Sequence, residues 1–137
     1  MKRIVVAVCM VLVVLLTTSC NKDNEYAGTY SGTFSMTGTE KTVNGNLIFT
    51  AGVNDSENLY LYGMKMTKES DAKYISNTAT LSRIVAMIST DSADQIENVS
   101  ATFEFSNNRV DMKLQYNLLG SIDITIITFT GTKLLKE

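Results

Sequence analysis

Histidine, proline and tryptophan are missing from these 137 residues, and cysteine occurs only twice. Without histidine the chain lacks the usual general base, both the Ser–His and Cys–His nucleophile pairs, and the nitrogen ligands that zinc favours. The absence of proline removes one common blocker of free sheet edges, so edges have to be protected by closure, charge or cover. Cys9 lies inside an apolar N-terminal run, which leaves Cys20 without an intramolecular partner and excludes a disulfide framework. Charge of one sign is not concentrated either. Twelve basic and 14 acidic residues give a net charge of −2, and apart from Lys2 and Arg3 the basic ones stand singly. No footprint for a phosphate backbone results, and nucleic acid is not an expected partner.

Long hydrophobic runs are scarce too. The one present covers residues 4–16, behind Lys2 and Arg3. It falls short of the roughly 20 residues that cross a bilayer as a helix, but it has the layout of an export signal. Leu15-Leu16-Thr17-Thr18-Ser19-Cys20 then resembles the lipobox of bacterial lipoproteins, with small side chains before a cysteine that carries the lipid. Residues 1–19 are accordingly expected to be a signal peptide, with Cys20 the lipidated first residue of the mature chain and residues 20–25 a short polar tether. Loss of Lys2 and Arg3 makes the mature chain more acidic, and two or more acyl chains give stable anchoring where one does not. The lysine and acidic residues of Asn21-Lys22-Asp23-Asn24-Glu25 resemble surface-export signals of Bacteroidota lipoproteins. The address implied is the cell envelope, on the outer membrane.

From Tyr26 onward the apolar residues recur every second position, the mark of strands with one buried face. Tyr26, Gly28, Tyr30, Gly32, Phe34 and Met36 share one parity; after a turn at Thr37-Gly38-Thr39, so do Val43, Gly45, Leu47 and Phe49. Together they predict a hairpin. Further on, Val99, Ala101, Phe103 and Phe105 alternate with polar residues, as do Val110, Met112, Leu114 and Tyr116 after the turn Ser106-Asn107-Asn108. Leu59-Tyr60-Leu61-Tyr62-Gly63-Met64-Lys65-Met66 is apolar on both parities and reads as one strand covered on both faces. In the final strand Ile122, Ile124 and Ile126 hold one phase, and Ile127, Phe129 and Gly131 the other, which predicts a β-bulge near Ile126 and Ile127.

Residues 70–94 leave two readings open. Leu81, Ile84, Val85 and Ile88 have helical spacing, whereas Ser82, Ile84, Ala86 and Ile88 permit a strand; a short helix over residues 80–89 is the preferred expectation. The whole predicts one all-β domain over residues 26–137, a small antiparallel up-and-down barrel of about eight strands, with a two-sheet sandwich as the alternative. Gly28, Gly32 and Gly131 would allow sharp bending where the first and last strands meet.

Tyr26-Ala27-Gly28-Thr29-Tyr30-Ser31-Gly32-Thr33 and Ile127-Thr128-Phe129-Thr130-Gly131-Thr132-Lys133 resemble the calycin-like, lipocalin-like β-barrel lipoproteins of Bacteroidota, many of them of unknown function. Where lipocalins carry glycine-x-tryptophan on the first strand, this chain has Gly28-Thr29-Tyr30. The resemblance therefore implies a fold and transfers no ligand-binding residues.

Carboxylates supply the remaining candidates for chemistry. Asp55 with Glu57, Glu69 with Asp71, and Asp91 with Asp94 and Glu97 all fall in polar segments where solvated charge is the ordinary explanation, and the calcium-loop spacing is missing. No catalytic residue, metal site or cofactor is expected, and the chain does not read as an enzyme. Tyr60, Tyr62, Met64 and Met66 alternate in a way that suits a barrel mouth taking a small apolar ligand. The expected function is that of a lipid-anchored, non-enzymatic envelope protein. It either holds such a ligand in the barrel or acts on an envelope protein or glycan without a cavity. A continuous pocket of at least several hundred cubic ångströms would support a ligand, whereas an interior packed with Phe34, Phe49, Phe103, Phe105 and Phe129 would argue against one, since an eight-stranded barrel is only just wide enough for its own side chains.

Overall fold

The computed structural model describes residues 24–54, 57–77 and 81–135. The expected signal peptide and Cys20 lie outside the described residues. Among those described, the strands are β1 (Gly28–Met36), β2 (Thr42–Ala51), β3 (Leu59–Leu61), β4 (Met64–Lys65), β5 (Thr67–Ser70), β6 (Lys73–Ser76), β7 (Ile96–Ser106), β8 (Arg109–Leu118) and β9 (Ile124–Lys133), with helix α1 (Leu81–Ile88) and a 3-10 turn (Ala93–Gln95) between β6 and β7. All nine belong to one antiparallel sheet, ordered β4-β3-β2-β1-β9-β8-β7-β6-β5, curled into a nearly closed barrel. The sandwich alternative is thereby set aside.

Closure has two origins. On one side β1 pairs with β9 over seven consecutive positions, from Met36 opposite Ile127 to Tyr30 opposite Lys133. On the other, the two edge strands β4 and β5 are separated only by Met66, whose N–H donates to the Leu59 carbonyl at 2.9 Å. One kinked ribbon thus pairs with β3 through its first half and with β6 through its second. The nine strands trace eight ribbons, and the edge problem of a proline-free sheet is met by closure.

The inward parities predicted for β1, β2, β7 and β8 are the ones observed: Tyr30, Phe34, Leu47, Phe49, Ala101, Phe103, Phe105, Val110, Met112, Leu114 and Tyr116 are all buried. Two expectations fail. The run 59–66 is a hairpin and not a single strand, because Tyr62 and Gly63 both take positive φ (51° and 84°) and form the two-residue turn that matches strand twist. A tyrosine in that conformation gives little warning in sequence. Nor does β9 bulge at Ile126 and Ile127, for its register with β1 and β8 runs unbroken. Ile127, Phe129 and Gly131 face inward, while Ile122 and Ile124 are simply exposed, Ile122 to 94%. The irregularities lie elsewhere, at Lys68/Ser70 and at Glu97/Ser100, the latter beside Asn98 with φ 56°.

Residues 70–94 contain both a strand and a helix. After β6, α1 turns Leu81, Ile84, Val85 and Ile88 into the core, the four positions with helical spacing. Arg83, near its start, stands 4.7 Å above the Tyr62 ring, and Tyr62 donates through Oη to the Asn46 carbonyl at 3.1 Å. Past its end, Asp91 Oδ2 accepts from Ser89 Oγ and from Tyr116 Oη, both at 2.8 Å. The helix is fixed to β2 and the β3–β4 tip at one end and to β8 at the other, and so lies across the upper end of the barrel.

Candidate functional site

The four residues proposed to line a ligand cavity do not share a face. The Tyr62-Gly63 turn sends them apart: Met66 is buried in the core, Tyr60 and Tyr62 are half-buried, and Met64 is exposed on the edge ribbon. Leu59 and Leu61 take the inward positions instead.

The interior is occupied by the chain's own rings. Phe34, Phe49, Phe103, Phe105 and Phe129 are all buried. Phe49 stands edge-on to Tyr30 at 5.5 Å, to Phe103 at 5.6 Å and to Phe105 at 5.1 Å between centroids; Phe34 and Phe129 meet at 4.5 Å. Such edge-to-face contacts are the favoured geometry for aromatic quadrupoles. These rings pack the middle of the barrel, and α1 turns Leu81, Ile84, Val85 and Ile88 into the core from the upper end.

A hollow of about 860 Å³ lies at the opposite, lower end, where β1 begins and β9 finishes. Ala27, Phe49, Ala51, Leu134 and Leu135 contribute apolar surface to it, and Asn24, Glu25, Asn108 and Lys133 polar groups. Sequence reading missed this place because it is built by chain segments next to strands, not by a periodic stripe. Asn24 is pinned there: its side chain donates to the Glu57 carbonyl and to Tyr74 Oη, both at 3.2 Å, and accepts from the Tyr26 N–H at 2.9 Å. Lys133 Nζ donates to the Glu25 carbonyl at 2.9 Å. Tyr26 stacks on Phe105 at 4.8 Å, and Tyr30 Oη donates to the Tyr26 carbonyl at 2.9 Å.

Burial pushes the Tyr30 phenol up to about 12, helped by Tyr26 and Glu25 nearby, from the 10.0 of a free tyrosine. Raised in the folded state, this group leaves stability at its full value below pH 10. Between pH 10 and about 12 the unfolded chain releases the proton that the folded chain keeps, so stability falls as pH rises. Alkaline titration of the unfolding free energy is expected to show that decline, and Tyr30→Phe to make it shallower. The variant also loses about 1 kcal/mol at neutral pH with its hydrogen bond. A remainder of the decline persists, since Tyr26, Tyr62 and Tyr116 are raised by burial as well.

Among the described residues, the candidate carboxylates are occupied by surface contacts or exposed. Asp55 lies outside the described residues. Glu69 is exposed and sits 3.5 Å from Lys73, Asp71 is exposed, and Asp94 accepts from Ser92 on the surface. Asp91 is spent on holding the end of α1 to Tyr116. Among the described residues no three acidic or sulfur side chains come together as a metal would need.

A second feature stands at the upper end, where the β8–β9 connection exposes Leu118, Leu119, Ile122 and Ile124 in one short stretch. It is tied down by the Leu119 N–H donating to the Gln95 carbonyl at 3.0 Å, the Ser121 N–H to the Leu118 carbonyl at 2.9 Å, and the Asn117 and Ser121 side chains. Comparison of the chain with protein-family profiles, with curated proteins and with solved structures finds no match.

Proposed function

We propose that the mature chain is a lipid-anchored, non-enzymatic protein of the cell envelope that acts through its outer surface and does not carry a ligand inside the barrel. The observation behind this reading is the packed middle of the barrel, where the Phe49 ring cluster and α1 stand in place of an internal cavity, while the hollow of about 860 Å³ opens at the lower rim. What remains for recognition is outside. The apolar β8–β9 loop favours a protein partner over a glycan, because grouped exposed aliphatic side chains mark protein or membrane contacts. The barrel is also compatible with the calycin-like lipoproteins of Bacteroidota suggested by the first and last strand motifs, and an outer-membrane address follows from that resemblance and from the lipobox-like residues before Cys20.

Metabolic labelling with a palmitate analogue in the producing cells tests the anchor. The wild-type chain is expected to take up label and to sediment with membranes, and Cys20→Ala to do neither. Equal labelling of the two proteins overturns the anchored reading.

A further inference from the structure

The lower rim of the barrel joins three features with no packing role in common. Val53, in the loop after β2, is 97% exposed, and Leu134 and Leu135, just past β9, are 55% and 79% exposed. Leu134 is held in place through its N–H, which donates to the Thr29 carbonyl at 2.8 Å, so its exposure is a property of ordered chain. Both leucines line the same hollow as Asn24, and Val53 follows Ala51, another of its lining residues, by two positions.

Asn24 is also where the described chain begins, fixed by its three side-chain hydrogen bonds, and it lies four residues after Cys20. Four residues reach at most about 14 Å when fully extended. A lipid on Cys20 therefore keeps Asn24, and the hollow it lines, within about 14 Å of the lipid's point of attachment, about two headgroup layers. The upper loop, by contrast, is separated from the rim by the ten residues of β9, roughly 30 Å of strand.

We infer that the lower rim is a bilayer-seating surface, with Val53, Leu134 and Leu135 entering the interface between headgroups and acyl chains and the β8–β9 loop pointing away into water. The inference rests on the anchor at Cys20 and adds to it a fixed orientation. Aliphatic side chains next to a lipid anchor add to its hold on the membrane. Charges of both signs stand at the rim, Glu25 and Lys133 at the hollow and Asp71 near Tyr26 among them, so the contact does not depend on anionic lipid or on low salt.

The absence of tryptophan makes the orientation directly readable. Leu135→Trp, Val53→Trp and Ile122→Trp each place a single indole at an exposed position of the full lipidated chain, purified from membranes and returned to phosphatidylethanolamine–phosphatidylglycerol vesicles. In vesicles with brominated acyl chains, emission from the indoles at 135 and 53 is expected to shift to the blue and to fall by roughly twofold, because interfacial side chains sit about 5–10 Å deep. Emission at 122 is expected to stay unchanged, and the pattern to survive molar salt. Two results overturn the seating while leaving the anchor intact. One is co-sedimentation with no quenching at 135 and 53; the other is equal or greater quenching at 122. Failure of all three chains to sediment with vesicles refutes the anchor itself, and the seating with it.

Discussion

Replacing Phe49 with alanine is expected to destabilise the folded chain by about 3–5 kcal/mol, the usual cost of emptying a core position of its ring. The position is 1% exposed and its ring meets those of Tyr30, Phe103 and Phe105, so three strands from both halves of the sheet lose a common contact. Domains of this size are stable by only about 5–15 kcal/mol, so the loss is a large share of the whole. Urea denaturation followed by far-ultraviolet circular dichroism gives the readout. The midpoint should fall steeply, whereas Ile122→Ala, at a position with almost no buried surface, should stay within about 0.5 kcal/mol of wild type. A Phe49→Ala protein as stable as the parent would mean that the rings do not form the core described.

The second large effect is expected at the seam between the first and last strands. Gly32 pairs with Gly131 across β1 and β9 and with Gly45 across β1 and β2. A methyl group added at Gly32 would collide with the Thr130 carbonyl oxygen and stand 2.5 Å from the Gly131 Cα. Backbone atoms cannot rotate away as a side chain can, so the strands would have to part. Overpacking commonly costs 1–3 kcal/mol, and with only backbone to give way Gly32→Ala is placed at about 3 kcal/mol or above. Gly38→Ala is the comparison: space is open around it, and only its φ of +87° opposes a side chain, so about 1 kcal/mol is expected. Hydrogen exchange of the β1 and β9 amides should quicken in the Gly32 variant before those of β7 and β8. A Gly32→Ala barrel with unchanged stability would place the closure elsewhere.

Those glycines also show how far sequence alone reaches. Their positions in the first and last strand patterns pointed to a meeting of the two, and Gly32 opposite Gly131 is that meeting. Alternation revealed the inward faces of β1, β2, β7 and β8 for the same reason: a strand buried on one side has period two, and few residues can satisfy it by chance. Asn107 and Asn108, with φ of 46° and 65°, made a legible turn because asparagine adopts that conformation readily. Tyr62 did not, since a tyrosine with φ of 51° is rare and is fixed here by its contacts to Arg83 and Asn46, both distant in sequence. Around the start of β9 the isoleucines misled: Ile124 follows the β preference for branched side chains while facing water, and Ile122 is exposed in the connection before the strand, so hydrophobicity mimicked a change of phase. The ligand site suggested by Tyr60, Tyr62, Met64 and Met66 dissolved with the single strand it assumed. The lower hollow was invisible because Asn24, Asn108 and Lys133 come together only once the sheet has closed.

The claim on which the functional reading turns is that the barrel is filled by its own side chains. It is tested most directly by titrating the wild-type mature chain with palmitate while following the methyl resonances of Leu47, Leu61, Leu114 and Ile127, all buried in the interior. Those methyl groups are expected to keep their chemical shifts throughout, even if residues near the lower rim respond. Saturable, one-to-one displacement of the four interior signals would contradict the account and restore a ligand to the centre of the barrel.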